Sequence, residues 1–178
     1  FRRGADARTI PPVRVPGEQM RDSTRLITLA ADICGREYDG KRVDMLFVDG
    51  TGIGGPIIDR LRQLGHTNVI EVQFGAEPPD RKYLNMRAWM WGQMRAWLKH
   101  GAIDALPRLE QDLTGPGYRH DGHDRLVLES KEHMKARGVA SPDDGDALAL
   151  TFAATVKLSK PVRRADRQQV GGNQAWML

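Results

Sequence analysis

Apolar and polar positions along this chain fall into runs whose period changes, and the changes mark out its elements. Over residues 22–36 the apolar positions Leu26, Ile27, Leu29, Ala30 and Ile33 repeat at helical spacing, with Asp22 or Ser23 placed to cap the first turn. Residues 43–48 (VDMLFV) form a short apolar run suited to a buried strand. A glycine-rich loop follows over 50–55; Pro56 opens a helix to about Leu64, and Gly65 stops it. Residues 68–74 (NVIEVQF) read as the next strand and 75–82 as a loop rich in proline and charge. The long helix expected over 83–100 turns Met86, Met90, Met94, Trp97 and Leu98 inward, a stripe that reads as core rather than as a cofactor box.

Further on, the pattern predicts a shorter helix over 106–113 and then a hairpin. Its strands are 117–119 and 125–129, joined by the polar turn His120-Asp121-Gly122-His123-Asp124. Residues 131–137 read as helical up to Gly138. Ser141-Pro142-Asp143-Asp144 reads as cap, first-turn proline and capping box for an apolar helix over 147–158. At the other end, 7–15 suggests an extended edge strand, since its two prolines cannot sit in a central one. Strands alternating with helices predict an α/β fold with parallel pairing at its centre, and the hairpin makes the sheet mixed. The 178 residues are the size of one domain, over 1–158, followed by a basic tail over 159–178 expected to be disordered.

Charge and cysteine content change this picture little. The net charge is +4 and the pI about 9.5, a mild lean toward polyanionic partners. Much of the excess sits in the tail, at Lys157, Lys160, Arg163, Arg164 and Arg167. The single cysteine, Cys34, excludes an internal disulfide and fits a reducing compartment, with the residue read as a small buried side chain. No apolar run approaches the roughly 18 residues of a membrane span.

Two segments carry candidate chemistry. In VDGTGIGG, residues 48–55, Asp49 closes a buried strand just before a turn into a helix, the place where α/β sheets bind ligands. In SPDDGDALALTF, residues 141–152, Asp146 lies in the first turns of an otherwise apolar helix, on the face of Ala149 and Leu150. A carboxylate on an apolar stripe is costly unless paired or metal-bound. Asp143 lies one turn earlier. Convergent carboxylates suit phosphodiester hydrolysis, in which two Mg²⁺ or Mn²⁺ ions about 3.5–4 Å apart activate water and neutralise developing charge. Each acid also has a plainer reading: Asp49 as a turn former, Asp146 as a solvated or capping acid, Asp143 and Asp144 as capping residues. Gly50-Thr51-Gly52-Ile53-Gly54-Gly55 also fits the dinucleotide fingerprint G-x-G-x-x-G, with Glu71 as ribose partner. Against it stand the acid beside the first glycine and the absence of further strand–helix–strand units. His120, Asp121, His123 and Asp124 read as a polar turn rather than a zinc site.

Three pieces taken in order resemble a known family. VDGTGIGGPIIDRLRQLGH, NMRAWMWGQMRAWLKHGAI and RLVLESKEHMKARGVASPDDGDALALTFA, within 43–154, look like the nuclease half of tailed-phage terminase large subunits, the motors that package and cut concatemeric DNA. The resemblance implies an RNase H-like, RuvC-like fold and an endonuclease that cuts double-stranded DNA with two divalent metals held by three acidic clusters. It places Asp49 as the second acid and Asp146 as the third, with Asp143 as an auxiliary metal ligand. It further implies an ATPase domain, a portal and a small terminase subunit as partners, in the cytoplasm of a bacterial host. Lys131, Arg125, Arg81 and Lys82 are the basic candidates for DNA contact, through its phosphates. No acid follows a buried strand ahead of Asp49, so the domain reads as N-terminally truncated and weak or inactive in cleavage. The alternatives are a non-catalytic DNA- or portal-binding module and, more remotely, a Rossmann-like nucleotide-binding domain.

Overall fold

The computed structural model describes residues 1–156 except 9, 11 and 39; the basic tail lies outside the described residues. A 3-10 turn, Gly17–Arg21, leads into α1 (Ser23–Gly35), capped by the Asp22 carboxylate, which accepts from the Thr24 and Arg25 N–H groups. A short hairpin, β1 (Glu37–Tyr38) and β2 (Lys41–Arg42), precedes β3 (Leu46–Asp49), α2 (Gly54–Gln63) and β4 (Val69–Val72). Then come α3 (Met86–Trp97), α4 (Pro107–Thr114), the hairpin strands β5 (Tyr118–His120) and β6 (Leu126–Leu128), α5 (Lys131–Ala136) and α6 (Asp143–Leu150). No helix among the described residues is long and apolar enough to cross a membrane.

The crossover β3–α2–β4 is parallel, with Leu46 opposite Val69 and Asp49 opposite Val72. Pleating then sorts the side chains onto two faces. Leu46, Val48 and Val69 meet Ile57, Ile58 and Leu61 of α2, backed by Leu26 and Ile27 of α1. Phe47, Ile70 and Val72 meet Met90, Trp91 and Met94 of α3 and Ala149 of α6. The near-continuous apolar strands are what burial on both faces requires. Asp49 falls on the second face, the one covered by α3 and α6.

The regular pairing forms three two-stranded ladders, two antiparallel and one parallel. Residues 82–84 extend the later hairpin: Leu126 N–H donates to the Lys82 carbonyl at 2.7 Å and Leu84 N–H to the Leu126 carbonyl at 2.9 Å. β5 is thereby left as an outer edge.

Three expectations are corrected. Described residues within 7–15 form no strand; Ala7 N–H donates to the Ala102 carbonyl, and Pro12 has no N–H with which to continue a ladder. The long helix starts at Met86 rather than 83, because Asn85 turns extended and its side chain accepts from Ala88 N–H at 3.0 Å. The last helix starts at Asp143 and ends at Leu150, giving way to 3-10-type bonds from Phe152 to Ala149 and from Ala153 to Leu150.

Glu129 ties the hairpin to α5. Its carboxylate accepts from Gly117 N–H at 2.8 Å and from Arg137 Nε and Nη2 at 2.8 and 2.7 Å. The Arg137 guanidinium first, and then the Gly117 amide, hold its pKa down at about 2. A depressed carboxylate pKa means stability that is complete above the ordinary value near 4.5 and is lost as pH falls through about 2. Thermal unfolding followed from pH 5 to pH 2 should therefore show a falling Tm, and Glu129→Gln should flatten that fall while lowering Tm at pH 7. Equal slopes for the two proteins would discard Glu129 as an acid-sensitive tie.

Candidate active site

Asp49 sits at the end of β3, half-buried, and its carboxylate turns toward the following loop. It accepts from Thr51 N–H at 3.0 Å and from the Thr51 hydroxyl. The local turn role of this acid is thus realised. The glycines beyond it answer to packing. A Cβ on Gly54 would lie 1.7 Å from the Asp49 carbonyl oxygen, and one on Gly50 would meet the Glu71 and Gln73 side chains at 2.3 and 2.4 Å. At Gly54 strand and helix approach so closely that only glycine fits, whereas at Gly50 the contacts are with side chains of β4 and the loop after it. Gly52, the middle glycine of the dinucleotide fingerprint, has open space around it, but α3 is followed by α4 and an antiparallel hairpin rather than by a further parallel strand.

Asp146 is 4% exposed and stands in the first turn of α6. Its Oδ1 accepts from Arg87 Nε at 2.9 Å and from Trp91 Nε1 at 2.8 Å, two residues one turn apart on α3. Its Oδ2 lies 3.0 Å from Lys131 Nζ, an ion pair with no hydrogen bond aligned on that oxygen. Lys131 also reaches Asp143 Oδ1 at 3.4 Å. Burial acts to lower the Lys131 pKa, but the charges of Asp146 and Asp143 outweigh it and the net shift is upward. Arg87 is itself 9% exposed; its Nη1 donates to the Glu129 carbonyl at 2.9 Å, while its Nη2 is buried without a partner. Arg87 and Trp91 are the residues that sequence reasoning missed here. The signal was present: a carboxylate on an apolar stripe demands a buried donor, and α3 carries an arginine among its methionines and tryptophans.

The start of α6 is also held differently from the local pattern. Pro142 at the cap offers no side-chain bond, and Ser141 spends its hydroxyl on Asp143 Oδ1 at 2.8 Å. The capping box is replaced by Asp112 of α4, 6% exposed, whose Oδ2 accepts from the N–H groups of Asp144 and Gly145 at 2.7 and 3.2 Å. Asp144 pairs with Arg14 and lies 3.9 Å from Arg108. Gly145 is needed because a Cβ there would come within 2.9 Å of the Trp91 ring.

Asp49 and Asp146 therefore stand on one side of the parallel pair, and α6 touches β3 directly. The cation position beside Asp146 and Asp143 has the oxygen donors a hard divalent ion takes, and the Lys131 ammonium fills it. Among the described residues no three His, Cys, Asp or Glu side chains gather closely enough to hold a metal. The basic residues proposed for DNA divide. Arg125 is tied to Asp121, through Nη2 at 2.7 Å, and Lys131 to the acids, whereas Arg81 and Lys82 are exposed in the loop before α3. His120 and His123 are exposed at the hairpin tip.

In fold, the chain is similar to the nuclease domain of the large terminase subunit gp2 of bacterial virus Sf6. The two are 18% identical with a TM-score of 0.60, over 88% of this chain and 80% of that one. A mutant of that nuclease domain with manganese gives 19% identity and a TM-score of 0.57 over 86% and 81% of the two chains. A mutant with calcium gives 19% and 0.57 over 86% and 80%. Neither a protein-family model nor a curated protein matches the chain. The likeness establishes that the chain shares the α/β fold of that nuclease domain, as the motif resemblance implied.

Three substitutions probe the buried ion pair and the distant cap. Arg87→Met leaves Asp146 buried with too few donors and should lower unfolding stability in urea by about 3 kcal/mol or more. Adding Asp146→Leu should restore part of that loss, and a strictly additive double mutant would show that the pair is not coupled. Asp112→Ala should cost about 1–2 kcal/mol, the usual loss for a helix cap. An unchanged urea midpoint would show that α6 needs no cap from α4.

Proposed function

We propose that this chain is a terminase-type nuclease domain that cleaves double-stranded DNA during phage DNA packaging. The observation that carries the reading is the placement of Asp49 and Asp146 on one side of the β3–β4 pair, within a fold shared with a terminase nuclease domain. Asp49 and Asp146 are the acids of the reaction, and Asp143 is an auxiliary ligand. Mg²⁺ or Mn²⁺ is the cofactor; the similar domains solved with manganese and calcium support a divalent ion. When bound, such an ion supplies a Lewis acid and an activated water.

The chain's own residues set the stage for that chemistry. Arg87 and Trp91 fix Oδ1 of Asp146, so that the buried Oδ2 is left toward Lys131 at the cation position. Lys131 holds positive charge there and pairs with both Asp143 and Asp146. Thr51 orients Asp49 at the strand end. The exposed Arg81 and Lys82 contribute non-specific attraction for DNA phosphates, a contribution that weakens as salt rises. An ATPase domain, a portal and a small terminase subunit are the partners this reading assigns.

Manganese titration by calorimetry, paired with cleavage of linear duplex DNA, tests the proposal. Asp49→Asn and Asp146→Asn should each weaken Mn²⁺ binding by about 10-fold or more and lower any cleavage by about 100-fold. Undiminished Mn²⁺ binding and cleavage in both variants would sink the site assignment. DNA binding that persists with no Mn²⁺ binding at all would instead favour a non-catalytic DNA-binding module.

A further inference from the structure

Tyr118 is an exposed aromatic residue that the proposed site does not use. It is 61% exposed, on an edge strand whose three residues all face solvent. Two residues apart on a strand, Tyr118 and His120 share one face, and their rings meet edge to face at 6.3 Å. The Arg95 guanidinium stands 6.0 Å from the Tyr118 ring centroid. Arg119 lies between them on the same strand, and among the described residues neither Arg95 nor Arg119 has an ion-pair partner. Two acids of the hairpin are already engaged, Asp121 by Arg125 and Glu129 by Arg137. An open aromatic ring therefore has the Arg95 guanidinium beside it, and the Arg119 side chain leaves the opposite face of the same edge strand.

The position of this edge is set by α3. Arg87, Trp91 and Arg95 follow one another at four-residue steps along a single face. The first two hold Asp146 and the third meets Tyr118. Eight residues of helix place Arg95 about 12 Å along the axis from Arg87.

We infer that Tyr118, with Arg95 and His120, is a stacking platform for an unpaired base of a DNA strand whose backbone runs toward the Asp49 and Asp146 site. A ring face accepts any base, and the Arg95 guanidinium attracts the neighbouring phosphate, the combination that single-strand binding uses. The paired bases of an intact duplex offer no free face to such a ring. The platform thus selects frayed, nicked or single-stranded DNA. The inference rests on the nuclease reading for its direction, but binding to the platform needs no metal.

The test is fluorescence anisotropy in EDTA at low salt with labelled oligothymidylate, an abasic oligonucleotide of equal charge, and a blunt duplex. Wild type should bind oligothymidylate at least about fivefold more tightly than the abasic strand. Tyr118→Ala should erase that difference, Tyr118→Phe should keep it, and neither should alter duplex affinity. Because Tyr118 is exposed, both variants should keep the wild-type circular dichroism. The thymidine preference is read in EDTA and metal binding by Mn²⁺ calorimetry, so a failure of the metal site and a failure of the platform are read separately. Equal affinity for thymidylate and abasic strands, an unaffected Tyr118→Ala, or no binding to any of the three DNAs would each overturn the platform.

Discussion

The fold turns on one buried carboxylate. Asp146 gives up water in the first turn of α6, and a charge so placed is tolerated when its oxygens find donors inside the protein. Those donors come from two other elements: Arg87 and Trp91 on α3, and Lys131 at the start of α5. Arg87 reaches on to the Glu129 carbonyl at the end of β6. Four parts of the chain are therefore fixed in relation to one another by the need of a single side chain. The methionine-rich stripe of α3 supplies bulk contact with the strands and α6, but apolar contact is non-directional and sets no register. The hydrogen bonds to Asp146 do.

A second carboxylate makes that arrangement possible. The N-terminal N–H groups of α6 would be costly to bury unpaired, and the Asp112 carboxylate from α4 takes two of them. α6 thus begins between two buried acids with different tasks, one satisfying backbone donors and the other facing side-chain cations. Gly145 lies between them and lets the Trp91 ring come close. Gly54 does the same at the other acid, bringing the start of α2 onto the Asp49 carbonyl. In both places the glycine serves close approach rather than a turn.

Much of this was legible from the chain alone because it depends on period. The apolar runs of β3 and β4, the helical stripes of α1 and α3, and the glycine stops at Gly65 and Gly138 are local signals, and the elements follow them to within a few residues. Asp146 stood out because an acid on an apolar stripe needs a reason. What could not be read was the partner. Arg87 and Asp146 are 59 positions apart, and nothing in spacing tells a buried arginine from a solvated one. Ser141-Pro142-Asp143-Asp144 misled for a related reason. The motif describes a cap made locally, and a carboxylate 32 residues away had taken the amide first. The extended stretch over 7–15 was read as a strand because nothing in its own residues says whether a neighbouring edge is open.

α3 joins the two halves of the functional argument, and its rigidity decides how far each half constrains the other. Arg87, Trp91 and Arg95 lie on one face, and the separation between the buried acid and the exposed ring is set by helical rise rather than by a loop. β5 and β6 are tied to the same region through Leu126, Lys82 and the Glu129 carbonyl. A strand lying across Tyr118 would keep a fixed offset from Asp146, as fixed as the helix between them. A loop in place of α3 would let that offset drift. Such a spacing has value only if something extended bridges the two points, and a nucleic-acid backbone is extended on that scale. The same helix that buries a carboxylate thus measures the distance from it at which a base can be held.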